Sequence, residues 1–409
     1  MPETSFVFPN DAHPPWSIMI VLYPYITGLV AGAFVVSALY HVFHREALKP
    51  VARLALVTSL CFCSCATLPL LLHLHRPERC FNVMITPSAS SAMAGFGFIY
   101  GTYMLVLVVE AWLLFRPDIV LRANRNRGMM GLFYRVLALG VTRLTPGSLA
   151  VDRWLLHALS ILGIPIACVL HGYVGFLFGA IKANPWWSTA LMPVIFLSSA
   201  IVSGIAALVV LYLFLCWRKS EEPDAECVRA LARYLWMFLV LAVTLEGLEL
   251  LQMAYESEGE WHVLRELLTK HLAVSYGLVQ VLLGSCVPLV LLLPAFFNRG
   301  WPRLTSVCSG IAALLVLVQV LAMRWNVVVG GQLFSKSFRG FVEYPVHWGG
   351  REGIVVAAVV LVLPLVILWV FSKILPLEED EEQGTQAVGE RPTSVKKHPV
   401  PLPSRLENA

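Results

Sequence analysis

The sequence predicts an all-α polytopic membrane protein, a bundle of about nine transmembrane helices. Three observations carry that prediction. Hydrophobic residues make up 58% of the chain and charged ones only 14%, a balance that soluble domains do not adopt. Nine apolar runs reach the length of about 20 residues that a bilayer crossing needs. Basic residues gather in alternate loops, as they do when one side of a membrane faces the cytoplasm.

The runs fall at roughly 18–43, 51–74, 91–115, 153–180, 190–217, 229–254, 271–297, 304–324 and 353–374. Residues 129–144 (MMGLFYRVLALGVTRL) are a tenth candidate, but the run is short and Arg135 interrupts it. An amphipathic helix lying on the membrane surface fits that stretch better. The bundle therefore takes residues 1–375. The tail 376–409, with EEDEE and PLPSRLENA, is charged and proline-bearing and is expected to be disordered. No soluble domain is discernible, so chemistry that needs a large catalytic module belongs to a partner. The opening MPETSFVFPNDAHPPW has no basic n-region, and no cleavable signal peptide is expected.

Orientation follows from the loops. His44, Arg45, Lys49 and Arg53 follow the first span, and Arg116, Arg122, Arg125, Arg127, Arg135, Arg143 and Arg153 follow the third. Arg218, Lys219, Arg229 and Arg233 follow the fifth, and Arg299 and Arg303 the seventh. That side is cytoplasmic, which puts the N-terminus outside and the C-terminal tail inside. The longest outer loop, 325–352, is rich in glycine and aromatics and reads as a docking surface. The paired Trp186 and Trp187 read as a helix corner at the outer interface.

The nine cysteines include no C-x-x-C, so neither a zinc nor an iron–sulfur site is expected, and no metal. Cys61, Cys63 and Cys65 lie within an apolar span, where packing is the simpler role. The net charge of +4 is small and points to no nucleic-acid partner.

At about 1.5 Å of rise per residue, several polar side chains share one outer layer. His171 on the fourth span and Glu246 on the sixth sit at similar depth, with Glu249 one turn further out. Tyr23, Tyr25 and Thr27 on the first span and Tyr276 and Gln280 on the seventh join them, and Arg324 ends the eighth span at the outer surface. Ionisable groups inside spans are costly and mark function more often than packing, although a single Tyr or Gln there is usually a helix–helix contact. A histidine and a carboxyl at one depth suit quinone chemistry, in which each carbonyl oxygen gains or loses a proton. Glu110 and His41 toward the inner side are candidates, with Glu249, for a proton relay. His157 and His171 are 14 residues apart, or about 21 Å on one helix face, a spacing that also suits stacked b-type haems. No other span offers a matching pair of histidines, so no intrinsic haem is expected.

Four stretches carry a resemblance: YPYITGLVAGAF (23–34), HGYVGFLFG (171–179), NPWWSTALMPVIFLSSAIVSGIA (184–206) and MRWNVVVGGQ (323–332). The chain resembles the NrfD/PsrC family, the membrane anchors of polysulfide and nitrite reductase complexes. With EYPVHWGGREG (343–353) it looks most like the branch typified by DsrP and the Hmc membrane subunit. The resemblance implies a helical bundle without a redox cofactor of its own, in a bacterial inner membrane. It also implies an exchangeable menaquinone or ubiquinone near the outer face, and electron exchange with a periplasmic ferredoxin-like iron–sulfur subunit. For the DsrP branch it adds a cytochrome c and a haem b membrane subunit, in a DsrMKJOP-like complex. The family's quinone region falls on Tyr23, Thr27, Gly28 and His171. Glu246 and Arg324 join it from depth and chemistry alone. The competing readings are a proton- or ion-translocating protein, against which no inverted repeat is discernible, and a passive anchor.

Overall fold

A computed structural model describes residues 14–88, 90–256, 259–297, 300–334 and 340–377. Among them nine helices are long and apolar enough to cross a membrane. In order these spans are Ile18–His41, Glu46–His73, Ala92–Arg125, Pro146–Gly179, Met192–Lys219, Ala225–Glu256, Ala273–Phe297, Pro302–Gln332 and Ile354–Ile374. The expected disordered tail lies, from residue 378 on, outside the described residues. The chain divides into two units, Met1–Phe115 with Asp152–Glu378, and a smaller one containing Arg116–Val151.

The first span is the hub of the larger unit. In its most apolar window 89% is buried inside the protein, against 22% for the ninth span. It packs on the second, fifth and eighth spans. Lipid tails are as apolar as leucine, so helices associate here by close packing rather than by escape from water. Small residues supply that closeness. A Cβ added to Gly32 would lie 2.7 Å from the Gly204 Cα, so the first and fifth spans cross backbone to backbone. Gly163 leaves a notch in the fourth span that the Phe34 ring fills. The first helix starts where Ser17 accepts from the Met19 amide at 3.3 Å, satisfying one of the orphan donors of a helix N-terminus.

The Asn184-Pro-Trp-Trp corner is buried, contrary to its reading as an interfacial rim. Trp186 and Trp187 are only 6% and 5% exposed. Asn184 organises the turn: its Oδ1 accepts from the Trp186 amide at 3.1 Å and its Nδ2 donates to the Gly331 carbonyl at 2.6 Å. Trp187 stacks on Trp16, centroids 5.0 Å apart, and donates from Nε1 to the Val327 carbonyl at 2.6 Å. The Trp187 indole N–H thus finds a carbonyl within the protein instead of a lipid headgroup.

The stretch 325–352, read as a loop, begins inside the eighth span. The eighth helix continues through it to Val328. Beyond that point Gln332 accepts from the Trp16 amide at 3.0 Å, and the Tyr344 hydroxyl accepts from the Ile18 amide at 3.1 Å. These two bonds hold the start of the first span.

In the seventh span, residues Ala273–Cys286 wind as a π-helix. Such turns are rare and cluster at functional sites, because the extra residue per turn re-aims side chains. In the smaller unit, the helix Gly128–Leu137 buries Gly131 and Tyr134 and exposes Met129, Leu132, Phe133 and Val136. At ten residues it is too short to cross a bilayer. Arg122 donates to the Tyr134 hydroxyl at 3.2 Å.

Replacing Gly32 by Leu should disrupt the crossing, since the clash is with backbone that cannot yield; overpacking of this kind costs about 1–3 kcal/mol or more. Gly172→Ala, at a helical glycine with nothing within 4 Å, should instead leave stability unchanged or raise it by up to ~1 kcal/mol. Thermal unfolding of both variants in detergent checks the pair, and equal midpoints would contradict this packing.

Candidate functional site

Arg324 is the centre of the polar layer. It was expected at the outer surface, but the eighth helix runs a further turn and the residue is 0% exposed. Nη2 donates to Ser199 Oγ at 2.7 Å and to the Phe196 carbonyl at 3.3 Å. The guanidinium lies 3.8 Å from the centroid of the Phe196 ring, a cation–π contact strengthened by desolvation. These partners are all neutral, and Nε has none.

His171, on the fourth span, is a further buried ionisable group of the layer. It is 0% exposed, and neither ring nitrogen has a hydrogen-bond partner. A Cβ on Gly28 would sit 3.4 Å from its Nε2, from the Ala200 Cα and from Ser203 Oγ. Gly28 thus leaves the space that the imidazole edge faces, one helical turn along the fifth span from Ser199. Orphaned buried imidazole nitrogens are exceptional. Tyr23 is also buried with an unpartnered hydroxyl, its ring set edge-on to Phe96 at 5.3 Å. Thr27 is different: its hydroxyl donates to the Tyr23 carbonyl at 2.6 Å, so it is spent within its own helix.

Glu246 begins a chain of side-chain hydrogen bonds that sequence reasoning found only in part. Gln280 Nε2 donates to Glu246 Oε2 at 2.9 Å, Asn326 Nδ2 donates to Gln280 Oε1 at 2.8 Å, and Ser275 Oγ donates to Asn326 Oδ1 at 2.7 Å. The π-helical winding brings both Ser275 and Gln280 to this network. Glu246 Oε1 and Glu249 Oε1 are buried without partners. Both carboxyls line a cleft of about 30 Å³ with Trp186, Tyr276, Gln280 and Asn326. That is room for about one water. Tyr276 also lines a hollow of about 420 Å³ with Trp261, Arg265 and Thr269, and that volume is within the range of small-molecule pockets. Asn326 and Ser199 were missed, although both lie inside the quoted motifs; only their neighbour Arg324 stood out by charge.

The residues expected toward the inner side form a separate group. Glu110 is fully buried and accepts from Ser160 Oγ, with Oε2 unpartnered. His157 donates from Nδ1 to the His41 carbonyl at 3.1 Å and stacks on His44 at 6.1 Å. Glu110 and His41, paired in the expected relay, thus bond to different residues of the fourth span, one turn apart. Among the described residues no three His, Cys, Asp or Glu side chains gather as a metal site.

The described residues thus make a multi-span helical protein with a buried, charge-bearing layer and orphaned ionisable atoms. The family model "Polysulphide reductase, NrfD" matches residues 8–336. The chain belongs to that family, and the match takes in the first eight spans and leaves the ninth outside. It is 30% identical over 322 residues to a selenate reductase subunit of Mesobacillus selenatarsenatis, covering 77% of this chain and 73% of that one. It is 27% identical over 325 residues to protein NrfD of Escherichia coli, covering 78% and 95%. A third relative, the Hdr-like menaquinol oxidoreductase integral membrane subunit of Archaeoglobus fulgidus, is 23% identical over 328 residues, covering 79% and 72%.

Ser199→Ala should leave Arg324 short of its best neutral partner and destabilise the protein by about 1–3 kcal/mol. Gln280→Leu should cost a similar amount, since it strands both Glu246 and Asn326. Thermal unfolding of the double variant tests whether one layer connects them; strictly additive losses would show two independent sites.

Proposed function

We propose that this chain is the quinone-interacting membrane subunit of a redox complex, exchanging electrons between the membrane quinone pool and an adjoining iron–sulfur subunit. The observation that carries the reading is the set of orphaned, buried, proton-active atoms around Arg324: both ring nitrogens of His171, Glu246 Oε1 and Glu249 Oε1. A quinone supplies two-electron, two-proton chemistry, and its carbonyl oxygens need such partners. His171, whose Nε2 faces the space left by Gly28, Tyr23 with its unpartnered hydroxyl, and Glu246 are the groups that would hold and protonate it. Arg324 supplies a fixed positive potential that favours negative charge developing nearby. The hollow beside Tyr276 gives a headgroup-sized recess at the edge of the layer. The 30 Å³ cleft itself is too small for a ring, so occupation of the inner layer requires side chains to move.

The names of relatives support the same reading: a menaquinol oxidoreductase subunit and a selenate reductase subunit are among them. On this proposal the complex is of the DsrMKJOP-like type in a bacterial inner membrane, with a periplasmic ferredoxin-like subunit, a cytochrome c and a haem b membrane subunit as partners. The N-terminus is periplasmic and the C-terminal tail cytoplasmic. Glu249, Glu110 and His41 serve as proton-relay groups at the two ends.

Binding of a fluorescent quinol-analogue inhibitor to the purified protein tests the site. His171→Ala should weaken it at least about tenfold, and Glu246→Gln should slow quinone-linked turnover of the whole complex by roughly 10²-fold. Unchanged binding and turnover in both variants would sink the assignment. For orientation, Gly349→Cys in a Cys80→Ser background should react with an impermeant maleimide added to spheroplasts; reaction confined to inverted vesicles would reverse the topology.

A further inference from the structure

The smaller unit turns an apolar face outward. In the helix Gly128–Leu137, Gly131 and Tyr134 are buried, and Ala138, the next residue on that face, is buried as well. A Cβ on Gly131 would collide with the Asn126 carbonyl oxygen, so this face is pressed against the chain that leads into the helix. At about 100° per residue the opposite arc carries Leu132, Val136, Met129 and Phe133. These are 62%, 65%, 87% and 42% exposed. A helix on a soluble surface has the reverse pattern, with its apolar stripe toward the core. Charge surrounds the arc. Between Asp118 and Asp152 the chain has five arginines and neither Asp nor Glu, and a guanidinium keeps its charge throughout the physiological range. Arg122 is used within the unit, on the Tyr134 hydroxyl. Arg125, Arg127, Arg135 and Arg143 are exposed. Asn124 Nδ2 donates to the Thr142 carbonyl at 2.6 Å, which draws the segment bearing Arg125 and Arg127 against the one bearing Arg143. Arg135 flanks the arc, one turn from both Leu132 and Leu139.

We propose that this face is a docking surface for an anionic phospholipid bilayer, its apolar arc among the upper acyl chains and its four exposed guanidinium groups on lipid phosphates. The two observations select the occupant independently: the arc calls for hydrocarbon, and the uncompensated cations call for phosphate. A second copy of this chain would set like charge against like charge. An anionic bilayer supplies phosphate above hydrocarbon in the order that a helix lying in the interface presents to it. The requirement for negatively charged headgroups goes beyond a helix that merely rests on a membrane. It also needs no quinone, and holds whatever occupies the polar layer around Arg324.

The experiment uses the full chain, one copy per lipid nanodisc, with an environment-sensitive fluorophore on Met129→Cys. The cysteines that are not buried, Cys80, Cys168, Cys286 and Cys308, are first replaced by serine. Discs run from pure phosphatidylcholine to increasing phosphatidylglycerol. Quenching by lipids brominated high on the acyl chain should rise and saturate with phosphatidylglycerol, and should weaken in about 0.5 M salt, which screens the phosphates. An arginine at an anionic surface is worth about fivefold in partition. Changing Arg125, Arg127, Arg135 and Arg143 together to Gln should therefore lower the ratio of docked to undocked helix at least about tenfold. The same four changed to Lys keep the charge and should dock like the wild type. Leu132→Ser should also lower the ratio at least about tenfold, by removing one apolar anchor. Arg218→Gln, at an exposed arginine ending the fifth span, should leave it unchanged. A probe open to aqueous iodide at every lipid composition would overturn the proposal. Equal lipid quenching in pure phosphatidylcholine would do the same, as would a probe shielded from iodide yet unquenched by lipid, the result that a protein covering the face would give.

Discussion

A guanidinium held wholly inside a helical bundle constrains everything around it. Moving such a charge out of water is costly even after relaxation, and Arg324 can stay only because the fifth span offers it a hydroxyl, a carbonyl and an aromatic face. Those groups must lie on one side of one helix, so Phe196 and Ser199 are three residues apart. The close crossing of the fifth and first spans at Gly32 and Gly204 then sets where Gly28 meets His171. Across the layer, Glu246 on the sixth span is tied through Gln280 on the seventh to Asn326, two residues from Arg324 on the eighth.

This arrangement separates two kinds of polar residue that look alike in a sequence. Thr27, Asn184 and Ser203 satisfy nearby carbonyls and serve the backbone. His171, Glu246 and Glu249 leave atoms unsatisfied in a dry place. The difference matters because an unmade hydrogen bond in a low dielectric costs more than a made one contributes, so unsatisfied atoms persist where another occupant or a proton completes them.

Much of the architecture was legible because hydrophobic length is a strong signal: every span was found, and the family motifs 23–34, 171–206 and 323–332 mark the helices that meet at Arg324. Depth arithmetic also brought His171, Glu246 and Arg324 to a common level. It failed where a helix end was misjudged, so that Arg324 was placed at the surface. It failed again where composition stood in for location: Trp186 and Trp187 resemble interfacial anchors, yet Trp16 and backbone carbonyls far away in the sequence bury them. Asn326 and Ser275 were invisible for a further reason. Helical periodicity assumes 3.6 residues per turn, and the π-helical winding of the seventh span breaks that count just where those residues meet.

That winding has a mechanical consequence. A π-turn closes each hydrogen bond over five residues instead of four and is held open by its surroundings rather than by intrinsic preference. Fourteen consecutive residues of the seventh span are in this state, and they border both the cleft and the hollow. A return of a few of these turns to ordinary α-winding would lengthen and twist the span, and would change which side chains it turns toward Glu246. The winding of the seventh helix, as much as its sequence, therefore decides which of its side chains the carboxyls of the sixth span meet.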